Sequence, residues 1–139
     1  MTKTRILVLC TGNSARSQMA EGLFRAAGFE VFSAGVKPSA VRPEAIAAMW
    51  EIGIDISGHR SKSVDEFAGA SFDYVVTVCD NARDACPVFP GGTVRLHWSL
   101  EDPAAVEGGE AERMEAFRRI RDRLRERINA FFARRPEVG

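Results

Sequence analysis

The spacing of apolar residues changes period several times along the chain, and each change marks an element. Arg5 to Cys10 (RILVLC) is a nearly continuous apolar run, the pattern of a strand covered on both faces. Thr11 to Ser14 is a polar, turn-prone break. From Arg16 to Ala27, the residues Met19, Ala20, Leu23, Phe24 and Ala27 recur at helical spacing, and Gly28 stands where a helix stop is expected. Glu30 to Ala34 reads as a second strand, closed by Gly35. Pro43 suits the first turn of a helix that runs to about Glu51 and ends at Gly53. That helix is expected to bury Ile46 and Met49, with Trp50 as a further member.

Val64 to Ala68 reads as a short helix. Asp73 to Val78 (DYVVTV) is β-branched and apolar, a third central strand with Cys79 at its C-terminal end. Asp80 to Pro90 reads as a loop or short irregular helix, Thr93 to Trp98 as a fourth strand, and Glu101 to Gly109 as another loop. Met114, Phe117, Ile120, Leu124, Ile128 and Phe131 form the buried stripe of a long C-terminal helix. The alternation predicts a single α/β domain over residues 1–139, a three-layer sandwich around a four-stranded parallel sheet. Ligands of such sheets bind beyond the carboxyl ends of the strands. Cys10, Cys79 and the loop after the fourth strand fall at that edge.

Composition narrows the partners. The chain has 19 basic and 19 acidic residues, so it lacks the basic excess of a nucleic-acid binder. The arginines of the last helix (Arg118, Arg119, Arg121, Arg123, Arg125, Arg127, Arg134 and Arg135) alternate with Glu115, Asp122 and Glu126, as on a solvated face. No apolar run approaches the roughly 20 residues of a membrane helix, and no signal segment is visible, so a cytoplasmic monomer is expected. A reducing compartment disfavours structural disulfides, and three cysteines would leave one over. Catalytic or redox cysteines fit better. Zinc held by the three cysteines and His97 is a further reading, but their spacings do not follow structural zinc patterns. His59 and His97 read as structural, and no tightly bound cofactor is expected.

The chemistry concentrates in Cys10-Thr11-Gly12-Asn13-Ser14-Ala15-Arg16-Ser17. A cysteine is followed after five residues by an arginine, at a strand-to-helix junction. Backbone N–H groups from Thr11 to Arg16 in a tight loop make an anion nest, and the next helix adds its positive end. Arg16 offers a planar, two-pronged donor for a tetrahedral oxyanion. The same field favours thiolate, the reactive form of Cys10. Ser17 can donate to the sulfur, and Asn13 can brace the loop. The glycine and lysine spacings of nucleotide-binding loops are absent.

The stretch VLCTGNSARSQMAEG resembles the signature of the low-molecular-weight protein tyrosine phosphatase superfamily. FSAG (Phe32–Gly35), VTVCDNARDACPVFP (Val76–Pro90) and HWSLEDPA (His97–Ala104) resemble its thioredoxin-coupled arsenate reductases. The resemblance implies Cys10 as nucleophile, Arg16 as oxyanion clamp, Ser17 as thiolate stabiliser and Asp102 as the acid. It implies Cys79 and Cys86 as resolving cysteines, working through Cys10–Cys79 and then Cys79–Cys86 disulfides, with thioredoxin as reductant. It also implies a potassium site at Asn13, Glu21, Ser33 and Asp65. The expected activity is reduction of arsenate, with phosphate as a near-isosteric ligand. The alternatives are a phosphatase of the same superfamily, or a thiol-based arsenite or oxyanion sensor. Ala104, Ala105 and Val106 stand where phosphatases often carry aromatic residues that grip a phosphotyrosine ring, which favours the reductase. Ala15 stands where some reductases have another cysteine.

Overall fold

The computed structural model describes residues 4–80 and 88–134. Four strands alternate with helices: β1 (Arg5–Cys10), α1 (Arg16–Ala26), β2 (Glu30–Gly35), α2 (Pro43–Trp50), β3 (Phe72–Thr77), β4 (Gly92–His97) and α3 (Glu110–Arg134). Two short 3-10 turns, Val64–Phe67 and Pro103–Ala105, sit in the connections. All strand pairs are parallel, in the order β2-β1-β3-β4. The chain therefore leaves β1 toward β2 and returns on the other side as β3. This reversal opens a crevice at the carboxyl ends of β1 and β3, where ligands of such sheets bind.

The continuous apolar run of β1 has the meaning expected of it. Ile6, Leu7, Val8 and Leu9 are all fully buried. Ile6, Val8 and Cys10 pack with α1, α2 and α3 residues, among them Met19, Phe24, Met49, Phe117, Ile120 and Leu124. Leu7 and Leu9 point the other way, toward Ala34, Phe72, Val75 and Phe89, and this second face is closed by Val64 and Phe67. Burying each such side chain stabilises the fold by roughly 1.5–3 kcal/mol. The C-terminal stripe is also as expected: Phe117, Ile120, Leu124 and Ile128 are buried, and Met114 and Phe131 pack at its ends. Helix α1 stops where Gly28 takes φ +98°, a conformation that suits glycine.

Two expectations are corrected. Trp50 is 66% exposed, because the inward stripe of α2 is Ala45, Ala48 and Met49. One residue past Met49 turns about 100° round the helix, toward solvent. Arg121 does not belong to the solvated arginine face, being only 8% exposed. Its guanidinium donates to the Ala48 carbonyl (2.8 Å) and to Glu51 Oε1 (2.9 Å). The last carbonyls of a helix lack partners within it, so Arg121 caps α2 from α3. Arg118 adds bonds of 2.8–3.0 Å to the Glu51 carboxylate. Among the described residues no helix is long and apolar enough to cross a membrane.

Hydrogen bonds from Arg118 and then Arg121 hold the Glu51 carboxyl below its ordinary range. A folded-state value below the unfolded one contributes stability above pH 4.5, lost as pH falls through the folded value. Glu51→Gln should therefore lower the melting temperature slightly at pH 7, with the gap to wild type closing in acid below pH 4.5. Melting curves across pH check this; a gap that persists unchanged in acid would contradict it.

Candidate active site

Residues Cys10 to Ser17 link the end of β1 to the start of α1. Cys10 is 2% exposed. The carbonyls of the loop are engaged by groups outside it. Thr11 O accepts from Lys37 N (2.9 Å), Gly12 O from Ser39 N (3.3 Å), and Ser14 O from Arg42 N (2.9 Å). Gly12 O also accepts from Ser61 Oγ (3.0 Å), and Asn13 O from Gln18 Nε2 (3.1 Å). In a trans peptide the N–H points opposite to the C=O. Carbonyls drawn outward thus turn the amides inward, as an anion nest requires. The start of α1 remains available to an anion: Ala15, its N-cap, makes no side-chain cap, and the first turn carries no acidic residue. Arg16 is 4% exposed, and its guanidinium donates to Leu100 O at 3.0 Å. That bond ties the loop to the segment bearing Asp102.

Asn13 organises the interior. It is fully buried and has φ +46°, a left-handed conformation that asparagine tolerates better than most residues. Its Oδ1 accepts from Lys62 N (2.8 Å) and Gln18 Nε2 (3.0 Å). A backbone N–H can only donate, so this bond fixes which end of the amide is oxygen. Nδ2 then donates to Ser17 Oγ (2.8 Å) and Ser33 Oγ (2.9 Å). With its oxygen accepting from Asn13, Ser17 has its own proton to give to Cys10 Sγ, 2.8 Å away. That bond fixes the sulfur against the first turn of α1. Ser33 in turn donates to Glu21 Oε1 at 2.5 Å.

Glu21 is a nearly buried carboxylate surrounded by basic side chains. Arg25 lies 2.9 Å from Oε2, His59 3.5 Å from Oε2, and Lys62 Nζ 3.7 Å from Oε1. Burial holds the His59 imidazole and the Lys62 ammonium below their ordinary ranges, while Glu21 pulls both upward. His59 Nδ1 also lies 3.0 Å from Gln18 Oε1. Of the four residues implied for potassium, Asn13, Glu21 and Ser33 are joined by hydrogen bonds, and Asp65 is exposed on the 3-10 turn Val64–Phe67. The cation facing Glu21 beside them is Lys62.

Cys79 is fully buried. The register Leu9↔Thr77 and the bond from Val78 N to Leu9 O (2.9 Å) carry the chain on past β3, so Cys79 stands one position beyond the level of Cys10. Adjacent strands lie about 4.8 Å apart. The two thiols thus flank the sheet's reversal. Cys86 lies outside the described residues. Asp102 is half-buried and caps the turn Pro103–Ala105, its Oδ1 accepting from Ala104 N at 3.0 Å. His97 pairs with Thr77 Oγ1 at 2.6 Å. Among the described residues no group of three or more His, Cys, Asp or Glu is placed to hold a metal.

The family model described as low molecular weight phosphotyrosine protein phosphatase matches residues 5–137. The chain belongs to this family. Its curated relatives include an arsenate reductase of Halalkalibacterium halodurans, 46% identical over 94% of this chain and 96% of the relative. Another, from Bacillus subtilis, is 43% identical over 91% and 93%. A solved arsenate reductase in the phosphate-binding state superposes with a TM-score of 0.78 at 34% identity, covering 94% of this chain and 97% of that one. A thioredoxin-dependent arsenate reductase of Corynebacterium glutamicum gives 0.65 at 31%, covering 96% of this chain and 64% of that one. A low molecular weight protein tyrosine phosphatase of T. tengcongensis gives 0.69 at 28%, covering 95% of this chain and 99% of that one.

Sequence reasoning missed Gln18, Lys62, Ser61 and the Leu100 carbonyl. Lys62, Ser61 and Leu100 reach the loop from far along the chain, Lys62 and Leu100 through backbone atoms, and Gln18 folds back on Asn13 from the first turns of α1. The sequence pattern marks Gly35 only as the end of a strand, yet a Cβ there would lie 2.5 Å from Thr11 O and 2.9 Å from Asn13 N and Cys10 O. Those atoms are backbone of the nest and cannot step aside. Gly35→Ala should cost about 3 kcal/mol, the upper end of overpacking penalties, and weaken phosphate binding. Chemical denaturation and phosphate titration check this; unchanged stability and affinity would show that the loop does not need this close approach.

Proposed function

We propose that this chain reduces arsenate to arsenite at Cys10 and passes the oxidising equivalents through Cys79 and Cys86 to thioredoxin. The observation that carries the reading is a second buried thiol, Cys79, at the strand end beside a thiol set in an anion nest. The arsenate reductases of similar length and 42–46% identity support it.

The chemistry follows from the residues. Arsenate enters the nest, where the loop amides and Arg16 hold its oxygens. Cys10 thiolate attacks arsenic(V), and one oxygen leaves as water with a proton supplied by Asp102. Cys79 thiolate then attacks Cys10 Sγ. The sulfur–arsenic bond breaks, its electron pair stays with arsenic, and arsenic(III) departs as arsenite. A Cys10–Cys79 disulfide remains. Cys86 thiolate attacks Cys79 Sγ, which releases Cys10 as thiolate and leaves a Cys79–Cys86 disulfide for an external dithiol to reduce.

Phosphate fits the same nest, and water in place of Cys79 would complete an ester hydrolysis. The phosphatase neighbour supports that as a weak side activity. The aromatic grip is missing here: Ala104 packs against the core, and Ala105 and Val106 follow it.

NADPH consumption with arsenate, thioredoxin and thioredoxin reductase tests the scheme. Wild type should turn over steadily, Cys79→Ser should be inactive, and Cys86→Ser should reduce one arsenate per enzyme and stop. Sustained turnover by either variant would overturn the relay, and no arsenate-dependent consumption by wild type would overturn the function.

A further inference from the structure

The family resemblance implies potassium beside the nucleophile loop, and the residues of this chain do not fit it. An alkali cation needs several oxygen ligands free to face it. Here Glu21 Oε1 accepts from Ser33 and faces Lys62 Nζ at 3.7 Å. Asn13 Oδ1 already accepts two donors, and Asp65 is on an exposed turn. One buried carboxylate is faced by two side chains that carry permanent or near-permanent positive charge, Arg25 and Lys62. A third cation at the same oxygens would meet repulsion in a poorly screened interior.

We propose that Lys62 supplies the cation of this site from within the chain, its ammonium standing at Glu21 where an ion would otherwise sit. The side chain is only 11% exposed, and Nζ also donates to Arg60 O at 3.0 Å, so the ammonium is held in place rather than free in solvent. An ammonium is a compact point charge with three donors, comparable to a small monovalent cation. The backbone on either side of that side chain is equally committed. Lys62 N donates to Asn13 Oδ1 (2.8 Å), and Lys62 O accepts from Gly35 N (2.9 Å). Lys62 thus grips the Asn13 hub and the end of β2 through its main chain while neutralising Glu21 through its head. It is a positioning residue: it acts on Cys10 through Glu21, Ser33, Asn13 and Ser17.

The test compares wild type with Lys62→Met in potassium chloride and in choline chloride at equal ionic strength. Two readouts are followed, the melting temperature and the rate at which iodoacetamide alkylates Cys10, resolved by peptide mass spectrometry. Wild type should give the same values in both salts. Lys62→Met in choline should melt lower and alkylate several-fold more slowly, and potassium should restore both with saturation. A saturable rise of wild-type melting temperature with potassium would overturn the proposal. So would a Lys62→Met protein indistinguishable from wild type in choline, or one whose loss potassium does not relieve. If Lys62→Met fails to fold, Lys62→Gln and the wild-type arm decide the matter. Neither readout uses arsenate, so failure here is separate from failure of the proposed reaction.

Discussion

The site depends on one side-chain amide whose oxygen and nitrogen are both fully used. Asn13 is buried inside the loop from Cys10 to Ser17 in a left-handed conformation, and its two ends face opposite demands. The oxygen takes donors from Lys62 and Gln18, and the nitrogen gives to Ser17 and Ser33. Because the Lys62 donor is a backbone N–H, the direction of every bond downstream is set. The chain of donors runs from Asn13 through Ser17 to the Cys10 sulfur. Reversal would leave buried donors facing one another, at a cost of about 1–3 kcal/mol for each unsatisfied group. The Cys10 sulfur is therefore held by the same bonds that shape the loop.

The surrounding fold exists in this form to hold that arrangement. The parallel sheet puts the ends of β1 and β3 side by side, which brings Cys79 close to the level of Cys10 without any contribution from a loop. Gly35, at the end of β2, lets the nest lie directly against the neighbouring strand. Glu21 needs compensation because it is buried, and Arg25, His59 and Lys62 converge on it from α1 and from the segment before the 3-10 turn. Electrostatic balance and loop conformation are one construction here.

Much of this was legible in the chain itself, for physical reasons. The strand RILVLC announces a fully buried position because both faces of a central parallel strand are covered. The Cys-x5-Arg loop is local, so its role follows from a few adjacent residues. The stripe of α3 was readable from its period alone. What was hidden depends on distance or on backbone. Nothing near Lys62 says that its ammonium meets a carboxylate 41 positions earlier in the chain. Asp65 looks equally suited to a cation site in sequence, and only the structure shows that it is exposed on a 3-10 turn. Trp50 and Arg121 were misplaced for a related reason: composition gives no phase to a short helix, and an arginine can bury itself when a helix end offers it carbonyls.

In the proposed relay, Cys10 begins the reaction and finishes it as a free thiol, with the oxidation transferred to the other two cysteines. The direct measurement is disulfide mapping of wild-type protein given one equivalent of arsenate with no reductant present. The relay should leave a Cys79–Cys86 disulfide, a free Cys10 thiol and one equivalent of arsenite. Cys10 left in a disulfide as the end product, or all three thiols free beside unreduced arsenate, would contradict it.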